Sequence, residues 1–492
     1  MRGVHSLGAL SALTSAEGEA LREHFKRVGF VFERLGAAEA ILPNQLDAVR
    51  LPIVQWRLRQ EKSAGAALTR LFLYDDVLTE PEAREAFGDT FALAALRGLI
   101  VAAEGGFVAP LRLSPYFGLW LLGDVLTGDP EVAMGPGATT HALSGLVPME
   151  GAGRVLDLGC GSGTLALLAA SRGADAVGLD INPRAVAMAE INARLNGLTA
   201  RFLVSDIYAS VGDARFDLIV AQPPFVMNPE EGAETTFLHG GRWGDELALR
   251  MIAQTPARLV AGGRAHFRID LLMRPKEPPH GRIRAALGDA PVDLLLLIAR
   301  GHSIDQAAMA YANVEDPTFG ARYAETAHRY LAHMTGLGAR ESSQTLLTLS
   351  LPKVPRPDQS TIVLPLPSVA RFSVEALAVL EAGLGHASLP PTALVGHKLS
   401  VAPGAQFVER RGAADRNAQS QVSVSFPGSW QGEQSLSESA LALVQCLDES
   451  PSLGHAIAAY AALLETQATA VEAEVLRMVR ELLARGVLRV VR

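Results

Sequence analysis

Residues 154–180 read RVLDLGCGSGTLALLAASRGADAVGLD, and the fold follows from them. The apolar run Arg154 to Leu158 has the length of a buried strand. Gly159, Gly161 and Gly163 come next, then an apolar helical run from Leu165 to Ala170. A second short apolar run, Ala176 to Leu179, ends in Asp180. The pattern is strand, glycine turn, helix, strand, acid. Glycines allow the sharp turn and let a ligand approach the backbone without meeting a Cβ. The turn feeds a helix N-terminus, whose free N–H groups and positive dipole end favour an anionic or electron-rich ligand. An acid closing the second strand, roughly 20 residues on, is where nucleotide-binding βαβ units grip a ribose diol. Asp157, ahead of the glycines, makes the pattern more specific than a bare GxGxxG. A tight turn without a ligand has little use for three glycines and two flanking acids.

Working outward, INPRAVAMAEINARLNGL is an amphipathic helix with Pro183 in its first turn. ARFLVSD is the next strand, ending in Asp206. FDLIVA is the fourth, and it runs directly into Gln222-Pro223-Pro224-Phe225. Further on, His239-Gly240-Gly241-Arg242-Trp243-Gly244-Asp245 precedes a helix that is expected to end at Gly262-Gly263, before a fifth strand from Arg264 to Ile269. PVDLLLLIARG supplies a sixth strand and SSQTLLTLSLP the last. A long helical insertion, Ser303 to Gly336, lies between them and carries Tyr311, Tyr323 and Tyr330.

DLGCGSG resembles motif I of the class I S-adenosylmethionine (SAM) dependent methyltransferases, and Gln-Pro-Pro-Phe is similar to the catalytic loop of their amino-methyltransferase branch. That branch includes release-factor glutamine methyltransferases and ribosomal RNA guanine-N2 methyltransferases. The resemblance covers residues 130–270 well and extends more loosely to 350. It implies an α/β fold: a Rossmann-like seven-stranded methyltransferase domain flanked by helical, winged-helix-like N- and C-terminal domains. It also implies SAM as cofactor, with S-adenosylhomocysteine as product. Asp157, Gly159, Gly161, Gly163, Asp180, Ile181, Asp206, Ile207 and Gln222 would line the cofactor, Asp180 on the ribose hydroxyls and Asp206 on the adenine amino group with Ile207 against the ring. Thr140, in TTHAL ahead of motif I, matches a threonine that lines the methionine side; the competing reading is a plain helix cap.

The catalytic group implied is Gln222, Pro223, Pro224 and Phe225. Methyl transfer is an in-line displacement, so positioning supplies much of the rate. An exocyclic amine or amide nitrogen is a poor nucleophile while its lone pair is delocalised. A side-chain carbonyl and a backbone carbonyl that accept its N–H bonds orient that lone pair. The prolines fix the loop, and the aromatic stacks on a planar target. In the amino-methyltransferases that the loop resembles, the first position is usually Asn, Asp or Ser. Glutamine keeps the amide but is one methylene longer, which bears on the substrate and on whether the site turns over. His239 reads either as a general base or as a structural or substrate-lining residue.

With 492 residues, two to four domains are expected, and 49% hydrophobic against 20% charged residues is a globular composition. The expected division is 1–125, 126–352 and 353–492. No apolar run reaches the roughly 18 residues that span a bilayer, and the N-terminus lacks a signal peptide's apolar stretch; a cytoplasmic protein with no membrane partner is expected. Cys160 and Cys446 are the only cysteines, so neither a disulfide framework nor a metal site is expected. Cys160 is either a thiol activated by a helix N-terminus or a small loop residue. A net charge of −8 excludes a molecule that binds nucleic acid by overall charge.

In the N-terminal region, Leu21 to Leu35 and Leu51 to Leu73 have helical spacing. The second carries Arg57, Arg59, Lys62 and Arg70, either a solvated face or a nucleic-acid patch. TFALAALRGLIVAAEGGFVAPLRL reads as helix, strand, Gly105-Gly106 turn, strand, the outline of a winged helix. After a linker-like stretch, Thr139 to Leu146 reads as a short helix. Prolines over 352–370 mark a boundary, QSQVSVSF alternates like an exposed strand, and the C-terminal helices ending in Gly486 and a short strand read as a second winged-helix-like unit that docks protein or nucleic acid. The function expected is N-methylation of an amide or exocyclic amine in RNA or a translation-related protein. The alternatives are small-molecule or peptide tailoring, and cofactor binding without turnover. The oligomeric state is not encoded in any motif.

Overall fold

The computed structural model describes residues 5–37, 51–125, 129–229, 238–316, 320–354, 359–366, 373–410, 421–427 and 433–491. Contacts divide the chain into two units. The first comprises Met1–Ser144, Met149–Gly288 and Gly301–Thr345; the second comprises Gly145–Pro148, Asp289–Arg300 and Leu346–Arg492.

The first unit is built on a twisted sheet. Its strands are β1 (Arg154–Leu158), β2 (Asp175–Asp180), β3 (Arg201–Val204), β4 (Phe216–Ala221), β5 (Leu259–Leu272) and the first part of β6 (Glu341–Ser350). They lie side by side in the order β6-β5-β4-β1-β2-β3. The pairs β1–β2, β1–β4, β2–β3 and β4–β5 are parallel. β1 and β4 are buried almost throughout, as continuous apolar runs in a covered parallel sheet should be. The helices α1 (Ala138–Leu146), α2 (Thr164–Ser171), α3 (Pro183–Asn196) and α4 (Glu246–Gln254) intervene. Asn182 caps α3 through the N–H of Arg184, with Pro183 following, and Gly197 ends the helix at φ +64°. The strand order reverses between β1 and β4. The crevice beyond the strand ends at such a reversal is where open α/β sheets bind ligands. Both the glycine turn after β1 and the Gln-Pro-Pro-Phe loop after β4 emerge there.

The N-terminal segment packs on the outer face of α3. Leu21, Phe25, Phe30, Leu68, Phe72, Phe87 and Trp120 share one core with Ala185, Met188, Ile191 and Leu195. The closeness is set by Gly18, where a Cβ would come within 2.8 Å of the Arg194 carbonyl oxygen. Asn192 and Asn196 of α3 bind the main chain of Leu122 and Trp120, each accepting an N–H and donating to a carbonyl.

Several expected elements differ in extent. The helix expected over Leu21 to Leu35 is two helices, Ser15–Arg27 and Phe32–Ala37, because Gly29 turns the chain at φ +75°. Leu51 to Leu73 likewise divides into Leu51–Gln60 and Ala64–Leu73, the second capped by Ser63. The hairpin Val101–Ala103 with Gly106–Val108 forms around the expected glycine turn. A second hairpin, Arg112–Tyr116 with Leu119–Gly123, has no counterpart in the reading of the sequence. The insertion is α5 (Ile304–Glu315) followed by α6 (Ala321–Gly336), not one helix. α4 ends at Gln254, and Gly262 and Gly263 lie inside β5, where the register against β4 shifts.

In the second unit, Asp293–Ala299 pairs in parallel with Thr361–Leu366. The latter strand lies within the proline-rich 352–370 stretch. Its β-branched residues favour an extended chain, and a proline is tolerated on an edge strand. Gln421–Ser425 is the middle strand of a small antiparallel sheet, paired with Gln406–Arg410 and Gln434–Leu436. Val422, Ser423 and Val424 are all buried, so it is not the exposed strand its alternation suggested. The helices Glu438–Asp448, Leu453–Leu463 and Ala468–Ala484 lead into Leu488–Val490, which pairs with Leu399–Val401. Among the described residues no helix is long and apolar enough to cross a membrane.

Candidate active site

Three glycines take left-handed conformations in the turn after β1: Gly159 at φ +77°, Gly161 at +52° and Gly163 at +86°. They serve different ends. A Cβ on Gly159 would project into open space, so this is a face that a ligand can approach. A Cβ on Gly163 would instead meet Ala189 at 2.8 Å and the Phe202 ring at 3.0 Å, so this glycine lets α2 start close to its neighbours. The N–H groups of Gly159 and Cys160 both donate to the Leu179 carbonyl at 2.8 Å.

The two acids brace this turn. Asp157 accepts the N–H of Ala166, in the first turn of α2, at 3.0 Å. Burial pushes its carboxyl up to about 7, against the pull of the Ala166 N–H; the neighbouring Asp180 charge adds to the rise. Asp180 accepts the N–H of Gly161 at 2.8 Å through Oδ2 and that of Asn182 at 2.9 Å through Oδ1. Burial raises its pKa as well. Each oxygen of a carboxylate can accept more than one hydrogen bond, so Asp180 keeps capacity for a diol. Ile181 beside it is 55% exposed, an aliphatic surface open to a ring. Asp206 is exposed just past β3, 3.8 Å from Arg250, and Ile207 is buried at φ +49°. Asp157, the glycines, Asp180 and Ile181 therefore gather at one strand end, with Asp206 and Ile207 following β3.

Burial pushes the Cys160 thiol well above its ordinary pKa, which makes it a packing residue and not an activated nucleophile. Thr140 accepts the N–H of Gly137 through its hydroxyl at the start of α1, as a capping residue does. Its neighbour Thr139, not singled out in the sequence, reaches the Gln-Pro-Pro-Phe loop: Gln222 Nε2 donates to Thr139 Oγ1 at 2.5 Å. The other amide atom, Gln222 Oε1, is buried and has no hydrogen-bond partner among the described residues. Such a group carries a desolvation cost that a ligand N–H would relieve.

The loop is held by the glycine-rich turn that follows. Val226 donates its N–H to Leu238 and accepts that of Gly240, and Asn228 donates to Gly241. A Cβ on Gly240 would lie 2.4 Å from the Pro224 carbonyl oxygen, and one on Gly244, at φ +84°, 2.4 Å from that of Phe225. Asp245 is tied to Arg274 at 2.6 Å and to Arg282 at 3.0 Å, all but hidden from solvent. The Arg274 guanidinium also lies 4.1 Å from the centre of the Trp243 ring. α5 and α6 close the other side: Tyr311, Tyr330 and Met334 pack with Val226, Met227, Phe225 and Trp243. His239 Nε2 is 3.3 Å from the Tyr330 hydroxyl, which donates to Glu315. His239 thus sits in a side-chain network beneath the loop.

The basic cluster of the N-terminal region is largely consumed internally. Arg59 and Arg70 share Asp76, and Arg70 also pairs with Glu82.

Comparison with known proteins matches the family model "Methyltransferase small domain" to residues 137–269. The release factor glutamine methyltransferase of Bordetella pertussis is 32% identical over 237 residues, 45% of this chain and 83% of that enzyme. This chain belongs to the methyltransferase small-domain family. It is a class I SAM-dependent methyltransferase by kinship. The chain is also 35% identical over 215 residues to the release factor glutamine methyltransferase of Rhodospirillum rubrum, 41% of this chain and 61% of that relative. Other relatives are spanned over 57%, 48% and 38% of their length. Among solved structures, the 16S rRNA N2 G1207 methyltransferase of T. thermophilus aligns at 21% identity over 47% of this chain and 64% of that one, with a TM-score of 0.26.

SAM is the cofactor of this class, and the residues present fit it. The open face at Gly159 would admit it, Asp180 would have acceptor capacity for its ribose, and Ile181 would offer a surface to its base.

Proposed function

We propose that this methyltransferase uses SAM to methylate a nitrogen, an amide or exocyclic amine, in a translation-related protein or RNA. One observation carries the reading: the Oε1 of Gln222 at the end of β4 is buried and has no hydrogen-bond partner among the described residues. The kinship with two release factor glutamine methyltransferases favours a protein carboxamide.

The cofactor supplies an electrophilic methyl group on a sulfonium. The chain's own residues do the rest. Asp157 and Asp180 hold the glycine turn in shape and offer negative charge near a cationic ligand. Gln222 Oε1 accepts an N–H of the acceptor, and the backbone carbonyl of Pro223 is the natural second acceptor. Two such bonds turn the nitrogen lone pair out of conjugation and aim it, which is worth more here than a strong base. Pro223 and Pro224 remove two backbone degrees of freedom, and Phe225 gives a planar group a face to lie on.

Isothermal titration with SAM tests the cofactor. Mass spectrometry of RNA and of the proteome from gene-deleted and parent strains then reads the acceptor. The expected result is the loss, in the deleted strain, of one methyl group from a glutamine or other amide nitrogen in a translation protein. A lost methyl group on a nucleotide assigns RNA, and one on a metabolite assigns small-molecule tailoring. Tight cofactor binding with no methyl group lost anywhere overturns the reading.

A further inference from the structure

In the amino-methyltransferases that this loop resembles, the first position usually holds a short side chain, whereas this chain carries Gln222. A glutamine at a strand end has three side-chain torsions to fix, and its amide can present either the carbonyl or the NH2. Only one presentation suits an N–H acceptor. An inverted amide would set two donors face to face.

This chain holds the amide in place. Gln222 Nε2 is engaged by Thr139 Oγ1 at 2.5 Å, and Oε1 is left buried and, among the described residues, unpartnered. Thr139 lies in the first turn of α1, and that turn is itself fixed because Thr140 accepts the Gly137 N–H. The adjacent threonines divide two tasks: Thr140 secures the helix start, and Thr139 reaches across to the end of β4. Tethering the nitrogen from the α1 side draws the longer side chain back.

We propose that Thr139 is a positioning residue for methyl transfer: it holds the Gln222 amide so that its carbonyl, and not its NH2, meets the acceptor nitrogen. The proposal rests on the reading of Gln222 as the acceptor-binding group. Thr139 and Gln222 then act as one unit, so substitutions at the two positions are non-additive. An asparagine at 222 would leave the Thr139 hydroxyl out of reach.

The test uses the full chain with Thr139→Val, which keeps the shape and removes the hydroxyl, and Thr139→Ser, which keeps the hydroxyl. Three readouts are taken. SAM affinity is measured by titration. Turnover is measured with tritium-labelled SAM on ribosomes and soluble protein from a gene-deleted strain. The side-chain NH2 signals of Gln222 are followed by NMR on isotope-labelled glutamine, assigned by their loss in Gln222→Leu. Thr139→Val is expected to lower kcat about tenfold to thirtyfold with KM and SAM affinity little changed. The Gln222 NH2 signals are expected to shift and exchange faster, and Thr139→Ser to restore most of the rate and the signals. Gln222 signals that ignore Thr139→Val, or shifted signals with full turnover, overturn the role of Thr139. A wild-type protein that binds SAM but labels neither fraction overturns the functional reading, and the role of Thr139 in transfer with it, even if the NMR shows the tether intact.

Discussion

Asp180 accepts the N–H of Gly161 across the turn after β1, at 2.8 Å, so the carboxylate proposed to take the cofactor's sugar is also a strut of the loop beneath it. Substituting it therefore removes a ligand contact and loosens the turn together. Asp180→Ala is expected to weaken SAM binding by about 30-fold to 100-fold. Asp180→Asn retains one acceptor oxygen and falls between. Isothermal titration reads both, and an unchanged affinity in Asp180→Ala would remove the cofactor reading.

Asp157 makes the site pH-sensitive near neutrality. Burial lifts its carboxyl from 3.8 to about 7. Its folded pKa exceeds its unfolded value, so its contribution to apo stability is full below about pH 4 and is lost as pH rises through about 7. Thermal stability of the apo protein should fall over that window, and Asp157→Asn should flatten the fall. A cationic ligand favours the ionised carboxylate. SAM affinity should rise from pH 6 to pH 8, and more steeply than that of S-adenosylhomocysteine, which lacks the sulfonium charge. Equal slopes for the two ligands would refute the coupling.

Gly244 cannot carry a side chain without moving the Gln-Pro-Pro-Phe loop. Its φ of +84° suits glycine, and a Cβ would lie 2.4 Å from the Phe225 carbonyl oxygen. Gly244→Ala is expected to cost about 2–4 kcal/mol of stability and to cut turnover more than SAM affinity. Denaturant melts and titration separate the two effects.

Asp245 neutralises Arg282, whose side chain is only 3% exposed, and pairs with Arg274. Asp245→Asn leaves a buried guanidinium without its counter-charge. The expected loss is about 3–5 kcal/mol. Replacing Arg282 by Met together with Asp245→Asn should recover part of it, because the stranded charge is then gone. A double-mutant cycle by chemical denaturation measures the recovery.

That the residues proposed to hold the cofactor gather at one strand end was legible because the arrangement is local: Asp157, the glycines and Asp180 lie within one βαβ unit, and chain spacing alone sets their geometry. The loop after β4 was legible for the same reason, as a turn chemistry at the end of an apolar run. What escaped depends on contacts across the chain. The resemblance drew attention to Thr140 as a residue on the methionine side of the cofactor, and spacing gave no hint that its neighbour Thr139 reaches Gln222 at the end of β4. The role of Asp245 was hidden because its partners Arg274 and Arg282 come from beyond β5. Thr361–Leu366 was obscured by its flanking prolines, which signal a boundary although the segment pairs as a strand. The break between α5 and α6 interrupts a pattern whose apolar periodicity continues on both sides.

Gly18 sits so tightly on α3 that the two surfaces cannot be prised apart without baring Met188, Ile191 and Leu195. A fragment trimmed to begin near residue 130 would keep every residue proposed to hold the cofactor and still expose a greasy flank to water. Such a fragment should clump at ordinary concentrations, so shortened or chimeric versions of this protein must carry the first hundred-odd residues along with the helix they shelter.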